Sequence, residues 1–455
     1  MTQLVSADTI RAMFSAAMTQ MYRAEVPQYQ KLAHIVAEVD GRTLAADETL
    51  EQRLRSAGRY DLIGVERHGA IRVGRPQELS GLRRLFAVMG MSPVGYYDLA
   101  PAGVPVHSTC FRPVTEQSTR ACPFRIFTSL LRPELIEDAA LRRDAMAILE
   151  RRRIFTPRCE HLIEIAEAHG GLSEAQAMEF VHEATETFRW HGRAKVSLDA
   201  YRKFLAAHPL VADVVCFHGP HINHLTLPTL DIDAVQQSMI EHELDPKSIV
   251  EGPPRRRAPI LLRQTSFKAI AETAQFDGET GAHKARFGEI EQRGAALTAD
   301  GRALYDELLA QTLAAAPPSE ASAAAYGAEL ARRFENFPDD AETLRRRHLA
   351  FFRYAPAAGV RKGSGRGGLD ALVRDGLVRA EPIFYEDFLP VSAAGIFQSN
   401  LGEGGRRELA AGAARGAFEE ALGATPADEL ALYAQSEEAS IRATLEALGA
   451  AETAV

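Results

Sequence analysis

The sequence predicts an α+β chain whose strands fall into two separated blocks, and three changes of texture carry that prediction. Residues 59–130, and again 209–300 with 380–401, are short apolar runs broken by Gly and Pro. Between the blocks, over 133–208, apolar residues recur at helical spacing, and 402–455 is rich in Ala and Glu. The expectation is one folded domain over 1–455, with the strand blocks as its core. A helical insertion at 133–208 and C-terminal helices at 402–455 form its outer parts. No period of about 20 to 50 residues recurs, which disfavours solenoids and propellers.

The elements follow in order. From Ser6 to Tyr22, Ile10, Met13, Phe14, Ala17 and Met21 recur at three- and four-residue spacing behind a Ser/Asp cap, predicting an amphipathic helix laid on one side of a sheet. DLIGVERHGAIRVG and GVPVHSTCFRP read as strands, with a short helix at Glu78 to Met89. In the insertion, Ser173 with Gln176 resembles a capping box, and Ser197 caps the last helix. At Leu210 the strand texture returns as VADVVCFHGPHINHLTL, APILLRQTSFKAIAETAQF and HKARFGEIEQRGAALT. A helix follows Asp300, and EPIFYEDFLPVSAAGIFQSNL is apolar without a helical period.

Composition excludes several classes of function. Lys plus Arg number 52 and Asp plus Glu 61, a formal charge of −9 over 455 residues, which disfavours nucleic acid as a partner. No window approaches the roughly 18 to 20 apolar residues of a membrane span, and the N-terminus lacks a basic region followed by an apolar run. The expected address is the cytoplasm. Cys110, Cys122, Cys159 and Cys216 contain no CxxC pair, so neither a disulfide framework nor a thiolate metal site is indicated. Arginine far outnumbers lysine, so a lone Arg is weak evidence; Arg263 and Gln264, polar in an apolar strand, read as structural pairing.

Three strand segments hold chemistry-bearing residues. His68 interrupts an apolar strand, where an unsatisfied polar group would cost about 1 to 3 kcal/mol. His218, His221 and His224 crowd into CFHGPHINHLTL, where Gly219-Pro220 forbids the continuous helix of an H-E-x-x-H zinc site. Glu289 and Glu291 in RFGEIEQRG share one strand face, and like charges so placed call for a cation, which Arg286 or Arg293 also offers. Each segment alone also reads as a solvated strand face. Together they offer two imidazoles and a carboxylate, a set able to occupy one face of Fe(II) or to hold zinc with one water. Residue types do not choose between these metals. Arg72 follows His68 at an even offset and shares its face, and a guanidinium suits a carboxylate.

In this order and at these intervals, VERHGAIR, FHGPHINHLT, FGEIEQRGAALT and EDFLPVSAAGIFQSNL resemble the 2-oxoadipate dioxygenase/decarboxylases, also called hydroxyglutarate synthases. The likeness spans most of the chain and is weakest near 313–325 and in the C-terminal tail. That family is similar to the vicinal oxygen chelate superfamily, so the resemblance implies paired β-α-β-β-β modules forming an open β half-barrel around a metal. It implies Fe(II) as cofactor, and 2-oxoadipate with O₂ as substrates giving D-2-hydroxyglutarate and CO₂ in lysine catabolism. It assigns the metal to His68, His224 and one glutamate, with Glu291 favoured because it opens the EQRG string and Glu289 as the alternative. Substrate contacts fall to His68, to Arg72 for the remote carboxylate, and to the backbone of Val391. His218 and His221 are then neighbours, since His224 shares its strand face with Ile222 and not with His221. The competing expectations are another metalloenzyme of this fold, either a ring-cleaving dioxygenase or a divalent-metal lyase or isomerase, and a non-catalytic metabolite-binding protein.

Overall fold

The computed structural model describes residues 3–56, 58–361, 363, 367–389 and 411–449. Its strands are β1 (His68–Val73), β2 (Ser92–Asp98), β3 (Val106–Arg112), β4 (Arg125–Leu131), β5 (His224–Pro228), β6 (Leu262–Ser266), β7 (Ala271–Phe276), β8 (Glu279–Lys284), β9 (Phe287–Arg293), β10 (Phe352–Pro356) and β11 (Val378–Pro382). Seven of them make one curled half-barrel sheet in the order β2-β3-β4-β1-β5-β9-β6, while β7-β8 and β10-β11 pair separately.

The sheet is two similar halves set side by side. In the first, β1 leads through the Pro76–Val88 helix to β2, β3 and β4, and β4 returns parallel to β1. In the second, β5 leads through the Ile232–Glu241 helix to β6 and β9, and β9 returns parallel to β5. Residues 246–251 take the place of β2 there, bridging β6 through Glu251 and Gln264, and the β7-β8 hairpin is inserted before β9. This is the paired β-α-β-β-β plan, closed in the middle by the antiparallel pairing of β1 with β5.

Strand alternation sorts side chains between the two faces. Ile71, Val73, Ile126, Leu225, Leu227 and Ile290 point outward into a core with the Ala7–Glu25 helix, whose Ser6 accepts from the Thr9 backbone N–H as cap. A second helix, Pro27–Ala46, which the sequence reading did not identify, buries Tyr29, Leu32 and Ile35 in the same core. Each apolar side chain so buried is worth about 1.5–3 kcal/mol. The inner face instead receives His68, Arg72, Thr226, Glu289 and Glu291.

One expectation is corrected. The run VADVVC is a helix, Pro209–Cys216, not a strand. Pro209 supplies the first helical position, the His208 ring accepts from the Leu210 N–H, and burial of every residue from Val211 to Cys216 outweighs the β-propensity of its valines. Of the 380–401 segment, β11 pairs with β10 and Ile383–Leu389 packs across the inner face, while residues 390–401 lie outside the described residues. There Arg112 grips Asp387 in two bonds of 2.6 and 2.9 Å, Arg125 pairs with Glu386, and Arg293 donates to the carbonyls of Tyr385 and Asp387. Val391 lies outside the described residues. Among the described residues, no helix is long and apolar enough to cross a membrane.

Candidate metal centre

Strand register assembles the site. His68 stands opposite Thr226 on β5, and Thr226 opposite Glu289 on β9, so the three lie abreast on adjacent strands. His224 stands one row along, opposite Ala70. Gly69 permits the close approach of β1 and the chain before β5, because a Cβ there would lie 2.4 Å from Ile222 Cδ1 and 3.1 Å from the His224 carbonyl.

The side chains converge. His68 Nε2 lies 3.0 Å and His224 Nε2 3.8 Å from the same oxygen, Glu289 Oε1. One ligand atom from each of the three sits within 4.8 Å of the others. The two imidazoles meet edge to face at 5.4 Å. Phe388 closes against His68 at 4.7 Å, and Phe287 stacks on His224 at 4.8 Å, giving the centre an apolar rim. His68 is 1% and Glu289 4% exposed, so these polar groups are held out of bulk water.

Burial raises the Glu289 carboxyl, but His224 and His68 beside it outweigh that and bring it down to about 2. Burial drives the His224 ring down to about 3, with Glu289 only partly opposing. Both shifts run toward the forms that ligate a metal, the ionised carboxylate and the neutral ring with a lone pair to offer. His224 Nδ1 is buried and makes no hydrogen bond among the described residues. Two imidazoles and a carboxylate around one point suit a divalent ion with open positions.

The glutamates are now distinguishable. Glu289 is the one that reaches both imidazoles; Glu291, favoured from the sequence, has both oxygens taken by Arg293 at 2.7 and 2.9 Å. Burial raises the Glu291 carboxyl, yet Arg293 and His68 hold it well below the carboxylate range. Its Oε2 lies 3.0 Å from His68 Nδ1, off the alignment of a hydrogen bond. Of the two arginines the sequence offered as counter-charges, Arg293 pairs with Glu291 alone, and Arg286 pairs elsewhere, with Glu25 and Glu272.

Arg72 shares the face of His68, and its Nη1 lies 2.8 Å from Asp213 Oδ2. His221 is buried against Trp190, with ring centroids 4.7 Å apart, and His218 is exposed. Arg263 is structural, forking onto Asp233 with two bonds of 2.8 Å. Sequence reading missed Thr226, Asp213, His283 and Phe388. Thr226 was within reach, being two residues beyond His224 on the same strand face. Asp213 gave a fainter signal, as the one charged residue in VADVVC.

Comparison with known proteins agrees with this geometry. Residues 14–400 match the family model of the 2-oxoadipate dioxygenase/decarboxylases. A 2-oxoadipate dioxygenase/decarboxylase of Pseudomonas putida is 54% identical over 453 residues, covering 98% of each chain. One of Escherichia coli is 52% identical over 447 residues, covering 97% of this chain and 99% of that one. The crystal structure of the hydroxyglutarate synthase from Pseudomonas putida in complex with 2-oxoadipate superposes with a TM-score of 0.92 at 54% identity, covering 98% of this chain and 99% of that one. Sequence, topology and the three converging side chains thus place this chain in the 2-oxoadipate dioxygenase/decarboxylase family.

Proposed function

We propose that this protein converts 2-oxoadipate and O₂ to D-2-hydroxyglutarate and CO₂, using Fe(II) held by His68, His224 and Glu289. The observation that carries the reading is the convergence of those two imidazoles and one carboxylate on the inner face of the sheet. The set fits Fe(II), because a 2-His-1-carboxylate face leaves coordination positions open for substrate and O₂. When bound, the iron supplies the redox chemistry by which O₂ oxidises a 2-oxo acid with loss of its carboxyl carbon. Carbon and oxygen balance: one carbon leaves as CO₂, and the two oxygen atoms enter the new carboxylate and the new hydroxyl.

The chain's own groups do the rest. Arg72 binds the carboxylate remote from the oxo group, through the planar fork that matches it. His68 borders both the metal and the substrate. Thr226 donates to Glu289 and orients its carboxylate, while Arg293 neutralises Glu291 so that it does not compete as a ligand. Phe287 and Phe388 exclude water from the reacting end. Val391 contributes a backbone contact to substrate in this reading, supported by its place in the EDFLPVSAAGIF string. A cytosolic role in lysine breakdown belongs to the same proposal, and the four buried, unbonded cysteines suit a reducing compartment.

The test is oxygen uptake by anaerobically Fe(II)-loaded protein on addition of 2-oxoadipate, with CO₂ and 2-hydroxyglutarate measured in the same vessel. Equimolar consumption and products are expected. Protein that binds one iron per chain but takes up no O₂ would reject the substrate; failure to bind iron would reject the metal.

A further inference from the structure

We infer that Asp213 is the positioning residue that sets the Arg72 guanidinium for the remote carboxylate of the substrate. This rests on the substrate role proposed above for Arg72 and extends it to a buried network on the far side of that guanidinium.

Arg72 is a long, flexible side chain, 26% exposed, on a strand that fixes only its Cα–Cβ direction. A free guanidinium so placed would sample many rotamers and would have to be ordered when substrate binds. Here one nitrogen, Nη1, is bonded to Asp213 Oδ2 at 2.8 Å. Among the described residues Nε and Nη2 have no hydrogen-bond partner, so Arg72 is oriented while keeping donors for a carboxylate.

Asp213 cannot move to follow the arginine. His283 Nε2 lies 2.9 Å and His221 Nε2 3.3 Å from its Oδ1, and the Asn223 amide donates to Oδ2 at 3.3 Å. Asn223 Nδ2 also lies 3.2 Å from His221 Nε2. The His283 ring is fixed at its other nitrogen by the Tyr201 hydroxyl at 2.9 Å and lies parallel to Trp190, 5.8 Å between ring centroids. Asp213, His221, Asn223 and His283 are all buried, and they come from the Pro209–Cys216 helix, the chain before β5, and β8. The crowding of histidines in CFHGPHINHLTL thus has a second use: His224 faces the metal position, while His221 turns away, its Nε2 accepting from the Asn223 amide that also donates to Asp213.

Asp213, His221 and His283 also have the spacing of metal ligands. Arg72 and Asn223 already meet the charge and lone pairs of Asp213, however. A divalent ion would place two more positive charges beside a guanidinium in a buried site, which is costly.

The test compares two substrates on Fe(II)-loaded protein: 2-oxoadipate, and the 2-oxo acid of equal chain length that lacks the remote carboxylate. Asp213→Asn should raise KM for 2-oxoadipate at least tenfold, with kcat within about threefold of wild type and one iron per chain. Kinetics with the monocarboxylate should change less than twofold, and adding Asp213→Asn to Arg72→Ala should cause no further loss. Should Asp213→Asn fail to fold, His283→Gln carries the test, with a rise of about threefold or more confined to 2-oxoadipate. If Arg72→Ala abolishes the preference for 2-oxoadipate while Asp213→Asn and His283→Gln leave it intact, the positioning role is overturned and the substrate role of Arg72 stands. If Arg72→Ala itself leaves the preference intact, the substrate role falls and the inference with it. A second metal per chain, lost in Asp213→Asn, would overturn the positioning role in favour of a metal site.

Discussion

Thr226 Oγ1 donates to Glu289 Oε1 at 2.9 Å and lies 3.1 Å from His68 Nε2, so one hydroxyl touches two members of the candidate metal set. It stands between them because β5 runs between β1 and β9. A hydroxyl that orients a ligating carboxylate typically matters by 10 to about 100-fold in metal affinity. Thr226→Val keeps the branched shape and removes only the hydroxyl with these two contacts. Fe(II) affinity, measured by competition with a chelator, should fall by roughly that factor while the fold is retained; unchanged affinity would remove Thr226 from the site.

The two glutamates should separate in opposite ways. Glu289→Gln removes the negative charge beside both imidazoles and replaces one carboxylate oxygen with an NH₂ donor, so iron content should drop toward zero with little loss of stability. Glu291→Gln leaves the buried Arg293 guanidinium without its counter-charge, a change that costs about 3–5 kcal/mol. That variant should keep its iron when folded but unfold at lower denaturant concentration. Metal analysis and denaturant titration of both proteins decide the matter, and iron loss in Glu291→Gln alone would restore the assignment favoured from the sequence.

Gly69 offers a steric test of the same geometry. A methyl at Gly69 would lie 2.4 Å from Ile222 Cδ1, the end of a side chain that can yield in part, but also 3.1 Å from the His224 carbonyl. Gly69→Ala should therefore push β5 from β1, costing about 1–3 kcal/mol by overpacking and weakening iron binding by moving His224. Adding Ile222→Val trims the colliding carbon and should recover most of the stability. If Gly69→Ala alone proves neutral in both measurements, the close approach does not matter to the site.

How much of this was legible before the structure follows from what each feature depends on. His68 and His224 stood out because imidazoles inside apolar strands demand partners, and Arg72 because an even offset keeps it on the face of His68. The two strand blocks were visible in the spacing of Gly, Pro and β-branched residues. Between the glutamates the sequence favoured Glu291 through the EQRG string alone, since a period of two puts both on one face, and what tells them apart is where the Arg293 guanidinium goes. Asp213 was hidden by local propensity: valines on both sides read as strand, whereas burial on every side and Pro209 make a helix. Its partner His283 lies 70 residues away on a hairpin that no local pattern links to it.

A pH dependence arises away from the metal centre, at Glu429. Burial, reinforced by Asp387, raises this carboxyl to about 7, against the pull of Arg302 at 3.7 Å and the Tyr97 hydroxyl at 3.2 Å. In the unfolded chain a glutamate titrates near 4.3. The folded protein thus binds the proton more tightly, and between these two values the native state holds more protons than the unfolded one. Stability must fall as pH rises through that window, with the full loss reached above about 7. Glu429→Gln keeps an acceptor for Tyr97 and removes the charge. It should raise stability at pH 8 by about 1–3 kcal/mol and change it little near pH 4. Denaturant unfolding of wild type and variant at both pH values measures this directly, and an equal effect at the two pH values would show that Glu429 does not titrate in the window.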